Sequence, residues 1–367
     1  LLAVKLLKER TRMKIGFMSY FDTCSGYGNS AVEICRAFAR AGHTVIPYAY
    51  KIDVELPQDF ADLFTQREPE KLDAIVVFAL PNQLRLTERM QERIPIRIAY
   101  SMWEQTRFSK DLIMKGKPYD NFTELWVPCE MNREPFGKFA PCKNIEVMPL
   151  GVNTDFFKYN PREAEIRPFR YCMNGALGYR KGTFLVIDAF REIKAEHPDW
   201  NIELHLKTSA KGMVKQMEEW TPGLKVINEM YWPEEMLDFY HSMDCIVAPS
   251  RGEGFHQPPL EFASTGGIVI TTTWGGMAEW FDPEWAYGVE HDLVPIGKKW
   301  PSSDPESMWA DPKPESIKAQ MEYVYINQDE AYDKATYGAS VVRSLFDWDI
   351  VAEKMLQRLE NLHAKNK

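Results

Sequence analysis

Seven residues separate Glu253 from Glu261 in the run Ser250-Arg251-Gly252-Glu253-Gly254-Phe255-His256-Gln257-Pro258-Pro259-Leu260-Glu261. Two carboxylates turned toward one small pocket are costly unless something donates to them, and the hydroxyls of a sugar or ribose are natural donors. Gly252 and Gly254 let the backbone turn sharply and approach a ligand, while the amides that open a helix favour an anion. A second group lies in Ala176-Leu177-Gly178-Tyr179-Arg180-Lys181-Gly182. Arg180 and Lys181 could neutralise a diphosphate there, arginine as a fork and lysine as a point charge. An Arg-Lys pair on a surface is ordinarily just solvated, so this reading rests on position. Gly26 and Gly28 in Ser25-Gly26-Tyr27-Gly28 could cradle a phosphate; glycines serving only a turn fit equally well. Trp103 could line an acceptor cleft and Glu104 could bind a hydroxyl, against a tryptophan packed at an edge and a solvated carboxylate. Gly275 and Gly276 could present amides to a ligand or simply make a turn.

Each group falls where a strand gives way to a helix or loop. Residues 13–18 form a β-type run, a glycine-containing loop follows at 22–30, and Ala31, Ile34, Cys35, Phe38 and Ala39 recur at helical spacing before a second β-type run at 44–48. Apolar runs at 74–78, 96–100, 125–128 and 145–148 continue the alternation expected of a parallel sheet covered on both faces. Trp103 and Glu104 follow the carboxyl end of one such run, where open α/β sheets place ligands. A proline-containing linker precedes a second series: a strand at 170–175, a helix from Gly182, strands at 201–206 and 224–227, and a helix at 236–243. The buried-type strand Cys245-Ile246-Val247-Ala248 then leads into the glutamate run. Apolar residues at helical spacing from Trp348 to Leu362 predict a terminal helix that packs across the domains.

A length of 367 residues suits two domains, and 45% apolar with 26% charged residues is a globular profile. The net charge of −9 disfavours a partner held through phosphate contacts, such as nucleic acid. Six scattered cysteines lack zinc or disulfide spacing and fit a reduced, cytoplasmic setting. No apolar run reaches the roughly 20 residues that span a bilayer. Residues 1–12 read as a leader or appended helix, with Met13 as the natural start.

From about Met13 to Leu362 the chain resembles a retaining glycosyltransferase of the family 4 type, also described as glycosyl transferases group 1. The paired glutamates, Gly275-Gly276, Ser25-Gly26-Tyr27-Gly28, Trp126-Val127-Pro128, Pro149-Leu150-Gly151-Val152-Asn153 and Arg180-Lys181-Gly182 carry the resemblance. It implies a GT-B fold: two Rossmann-like α/β domains facing across a cleft, the first at 13–155 on the acceptor side, the second at 156–346 binding a nucleotide sugar, and a terminal helix at 347–367 crossing back. It also implies transfer of a sugar from a nucleoside diphosphate, UDP or GDP, to an acceptor hydroxyl with retention of configuration and no metal or other cofactor.

By the same resemblance Glu261 would hold the ribose and Glu253 the transferred sugar, aided by the Gly254 and Phe255 amides. Lys181 and Arg180 would stabilise the leaving diphosphate, Gly26, Tyr27 and Gly28 would approach its phosphates, and Gly175 would join the donor site. Glu104 is placed with the catalytic residues and Trp103 on the acceptor side. The family commonly has an arginine where Ala176 stands, leaving Arg180 to substitute, and often a histidine where this chain reads Met102-Trp103-Glu104. A saccharide, a protein or another hydroxyl compound fits as acceptor, with modified DNA disfavoured by the acidic balance. Two other readings use the same pocket: a nucleotide-sugar epimerase or hydrolase of this fold, and a binding module without turnover.

Overall fold

The computed structural model describes residues 12–22, 25–52, 56–66, 71–108, 119–139, 144–208, 214–229, 231–297 and 303–366. The leader expected at 1–12 therefore lies, but for Arg12, outside the described residues. Two six-stranded parallel sheets form the two halves.

The first sheet contains β1 (Lys14–Phe21), β2 (Thr44–Ile52), β3 (Ala74–Phe78), β4 (Ile96–Tyr100), β5 (Glu124–Val127) and β6 (Ile145–Val147), in the order β2-β1-β3-β4-β5-β6. The second holds β7 (Phe169–Asn174), β8 (Ile202–Lys207), β9 (Leu224–Ile227), β10 (Cys245–Ala248), β11 (Ile268–Thr272) and β12 (Tyr287–Val289), in the order β12-β11-β10-β7-β8-β9. Strands β3, β10 and β11 are buried at every position, as continuous apolar strands covered on both faces must be. This is the α/β GT-B architecture. In each sheet the order reverses beside the first strand, between β1 and β3 and between β7 and β10, and such switch points are where open α/β sheets bind ligands.

The terminal helix Trp348–Lys365 buries Val351, Met355, Leu356 and Leu359 in a core shared with β1, β3 and the helix Gly26–Arg40. Polar ties accompany that packing. Arg358 reaches the fully buried Glu124 at 2.7 Å and Glu146 at 2.9 Å. Arg40 pairs with Asp349, an exposed contact that adds little by itself.

The sequence carried no expectation of the hairpin β13 (His291–Pro295) and β14 (Met308–Pro312), an antiparallel pair outside both sheets. Its β14 side touches the first domain: the Thr106 hydroxyl accepts from the Met308 amide at 2.8 Å, and the Arg107 amide donates to the Ser307 hydroxyl at 3.0 Å. No described helix is long and apolar enough to cross a membrane.

Candidate active site

The cleft between the sheets encloses about 610 Å³ and is lined from both halves, including Gly26, Tyr27, Glu104, Asn174, Arg180, Lys181, Glu253, Gly254, Phe255, His256, Gln257 and Glu261. Four connections deliver these side chains, one after β1, one after β4, one after β7 and one after β10. Parallel strands end at the same side, so residues far apart in sequence arrive together.

The loop after β7 is shaped by two glycines. Gly182 has φ of 72° and a Cβ there would lie 2.4 Å from the Pro249 carbonyl oxygen, so only glycine lets this loop lie against the glutamate run. Gly175, placed by expectation in the donor site, has its amide bonded to the Lys207 carbonyl and a φ of 152° that favours glycine. It is not among the residues lining the cleft.

Glu253 is the electrostatic centre. Arg180 Nη1 approaches one carboxylate oxygen at 2.8 Å and Lys181 Nζ the other at 2.8 Å, while the Ser250 hydroxyl donates to it as well. Burial alone would raise the Glu253 carboxyl, but Lys181 and then Arg180 prevail and hold it well below the usual carboxylate range. Burial likewise opposes the Arg180 charge, and Glu253 followed by Glu104 holds that guanidinium above its ordinary value. Glu104 shifts the other way: burial raises it, Glu253 adds to the rise, and Arg180 resists. The result is a compact set of two cations and two carboxyl groups, with guanidinium and ammonium hydrogens in excess of the bonds made here.

Glu261 receives one hydrogen bond, from the Tyr240 hydroxyl at 3.1 Å, and that hydroxyl accepts from Asn174 at 3.0 Å. Desolvation pushes the Glu261 carboxyl up to about 7, with Tyr240 pulling weakly the other way. A carboxyl so poorly supplied with donors accommodates further hydroxyl groups readily.

The glutamate loop is braced from behind. The Gly276 amide donates to the Glu253 carbonyl at 2.9 Å, and the Trp280 indole donates to the Phe255 carbonyl at 2.7 Å. The Gly275-Gly276 amides were candidates for ligand contact; the Gly276 amide instead serves the loop. The Phe255 side chain is buried, so its approach to the cleft is through the backbone.

Three expectations change on the first-domain side. Gly26, Tyr27 and Gly28 form the first turn of a helix rather than a loop, with Ser25 as N-cap. The Gly28 amide donates to the Ser25 hydroxyl at 3.0 Å, and a Cβ on Gly28 would collide with Asp22. Gly28 is therefore absent from the cleft lining, and its glycine serves the cap; the amides of Gly26 and Tyr27, at the helix start, have no intrahelical partner. Trp103 does not line the cleft either. Its indole donates to the Arg107 carbonyl at 2.8 Å and its ring packs on Phe108 in the first-domain core. Met102 takes the cleft position instead, packed where Gly254 lacks a side chain.

Two participants had no clear signal in the sequence. Gln257 crosses the cleft, its oxygen accepting from the Ser30 hydroxyl at 2.9 Å and its amide donating to the Gly151 carbonyl at 2.9 Å. Tyr240 sits on a helix face that reads as ordinary core.

Residues 169–297 match the family model described as glycosyl transferases group 1. A lipopolysaccharide 1,2-N-acetylglucosaminetransferase of Salmonella typhimurium is 20% identical over 334 residues, covering 86% of this chain and 78% of that protein. Among solved structures, a sucrose-phosphate synthase from Thermosynechococcus elongatus superposes with a TM-score of 0.69 at 16% identity, covering 96% of this chain and all of that one. The Anabaena protein HepE, in complex with UDP and glucose, gives a TM-score of 0.67 at 11% identity, with 95% and 100% covered. These structures share the fold. The chain has the GT-B fold, and within its second half residues 169–297 are similar to the glycosyl transferases group 1.

Proposed function

We propose that this protein is a retaining, metal-independent glycosyltransferase that moves a sugar from a nucleoside diphosphate sugar to a hydroxyl of a saccharide acceptor. The observation that carries the reading is the convergence of Glu253, Glu261, Arg180 and Lys181 in one cleft at the ends of β7 and β10. Glu261, short of donors, suits ribose hydroxyls, and Arg180 with Lys181 suits a diphosphate. A Salmonella relative bears the name of an N-acetylglucosaminetransferase, and a protein of the same fold was solved with UDP and glucose, both in keeping with this reading.

In the transfer, the bond from the anomeric carbon to the diphosphate oxygen breaks as the acceptor oxygen bonds to that carbon. The acceptor proton passes to the departing phosphate, whose growing charge Lys181 and Arg180 offset. Glu253 orients the sugar, and Glu104, on the facing domain, is positioned toward the acceptor side. Buried free thiols at Cys35, Cys129, Cys172 and Cys245 support a reducing, cytoplasmic setting as part of this reading.

A panel of UDP, GDP and ADP sugars, assayed for binding and for nucleotide release with saccharide acceptors, tests the reading. Glu261→Ala is expected to weaken the preferred donor about tenfold or more, the loss of one or two hydrogen bonds to a charged group. No donor binding or turnover by the wild-type protein, with Glu261→Ala indistinguishable from it, would overturn the assignment.

A further inference from the structure

Among the described residues, His256 is the one residue other than glycine with positive φ, 69°. It stands immediately before the helix Gln257–Ser264, in the left-handed region that favours glycine, yet its side chain makes no capping hydrogen bond to that helix. The residue is 7% exposed, lines the cleft, and has a buried Nδ1 without a hydrogen-bond partner. Neither local backbone preference nor helix capping explains an imidazole here. A strained backbone that carries a buried, unpartnered polar atom into a binding cleft points to a ligand.

The surroundings define what that ligand offers. Burial, and after it the Lys181 charge, pushes the imidazole down to about 3, so at neutral pH the ring is uncharged, with one N–H and one bare nitrogen. Phosphate oxygens find their counter-charges at Arg180 and Lys181, where an uncharged nitrogen adds little. A sugar hydroxyl both donates and accepts: it can donate to Glu253, which is acceptor-only when ionised, and still engage an imidazole nitrogen.

We propose that His256 is a specificity-determining residue whose Nδ1 hydrogen-bonds a hydroxyl of the transferred sugar beside Glu253, fixing how that sugar lies in the cleft. The proposal rests on the glycosyltransferase reading above.

Calorimetric titration of UDP against UDP-glucose and UDP-N-acetylglucosamine, and of GDP against GDP-mannose, tests it with the wild-type protein, His256→Gly and His256→Asn. His256→Gly is expected to weaken the sugar nucleotide about tenfold while leaving the matching nucleoside diphosphate unchanged. Its melting temperature is expected to stay level or rise, because glycine adopts this backbone freely. His256→Asn tolerates the left-handed region and carries both a donor and an acceptor, so it is expected to recover part of the sugar-dependent affinity. Equal losses for diphosphate and sugar nucleotide would overturn the proposal in favour of a phosphate contact. Unchanged affinities, or a fall in melting temperature with parallel losses, would overturn it in favour of a purely structural role. A wild-type protein that binds none of these compounds would overturn the functional reading and this proposal together; binding that is insensitive to His256→Gly overturns this proposal alone.

Discussion

Glu261 faces the cleft with a single hydrogen bond, from Tyr240, and its carboxyl is raised from 4.5 to about 7. Between those two pH values the folded protein keeps a proton that the unfolded chain has lost. This group's contribution therefore makes stability fall as pH rises through the window, with the loss complete above about 7. Glu261→Gln is expected to flatten that fall, read as denaturation midpoints across a pH series; an identical profile would contradict the placement of the carboxyl. Ribose hydroxyls donating to the ionised form would strengthen donor binding over the same rise, and the Gln variant would lose that dependence. The two glutamates were legible because carboxylates at this spacing around glycines have few structural uses. Tyr240 was not, because a tyrosine at helical spacing reads the same whether its hydroxyl faces core or cleft. Trp103 misled for a related reason: a strand end predicts where a residue sits, while the rotamer that turned its indole toward Arg107 depends on packing by Phe108.

At the scale of elements, the loop from β7 into the helix Thr183–Glu196 sets the cations against Glu253. Gly182 controls that approach through its left-handed backbone and its contact with the Pro249 carbonyl. Gly182→Ala is expected to cost at least about 2 kcal/mol, combining the left-handed penalty with a clash against unyielding backbone. Denaturant unfolding measures this, and donor affinity should fall in parallel as Arg180 and Lys181 move off the glutamate run. An Ala variant of wild-type stability would mean that the two loops are not in contact. Strand positions were readable because doubly covered strands are continuous apolar runs. The first-domain glycines were harder to place: Gly26, Tyr27 and Gly28 look like a phosphate loop in sequence, and it takes the Ser25 cap and the Asp22 side chain to turn them into a helix start. The hairpin of β13 and β14 escaped notice because its exposed positions alternate weakly and its partners lie some 200 residues away, at Thr106 and Arg107.

For the molecule as a whole, two sheets and a terminal helix followed from the alternation of strands and helices, whereas the contacts that join the halves come from pairings no local pattern announces. The halves are tied on one side by the chain itself, through the linker and the contact of Arg358 with the buried Glu124, within the cleft by Gln257, which bonds Ser30 and Gly151, and on the far side by the β14 side of the hairpin. The hairpin tie is weak, being a few neutral hydrogen bonds worth about 1 kcal/mol each and the exposed Arg107–Glu306 pair. It also sits next to Glu104. The backbone amide of Arg107 is consequently a clock for the separation of the domains, since its proton is protected by Ser307 only while the halves are together. Its deuterium uptake is expected to be faster than that of the sheet cores and to slow when a sugar nucleotide occupies the cleft. Uptake at the rate of the β10 amides, unaltered by donor, would mean instead that the two halves part only when the entire chain unfolds.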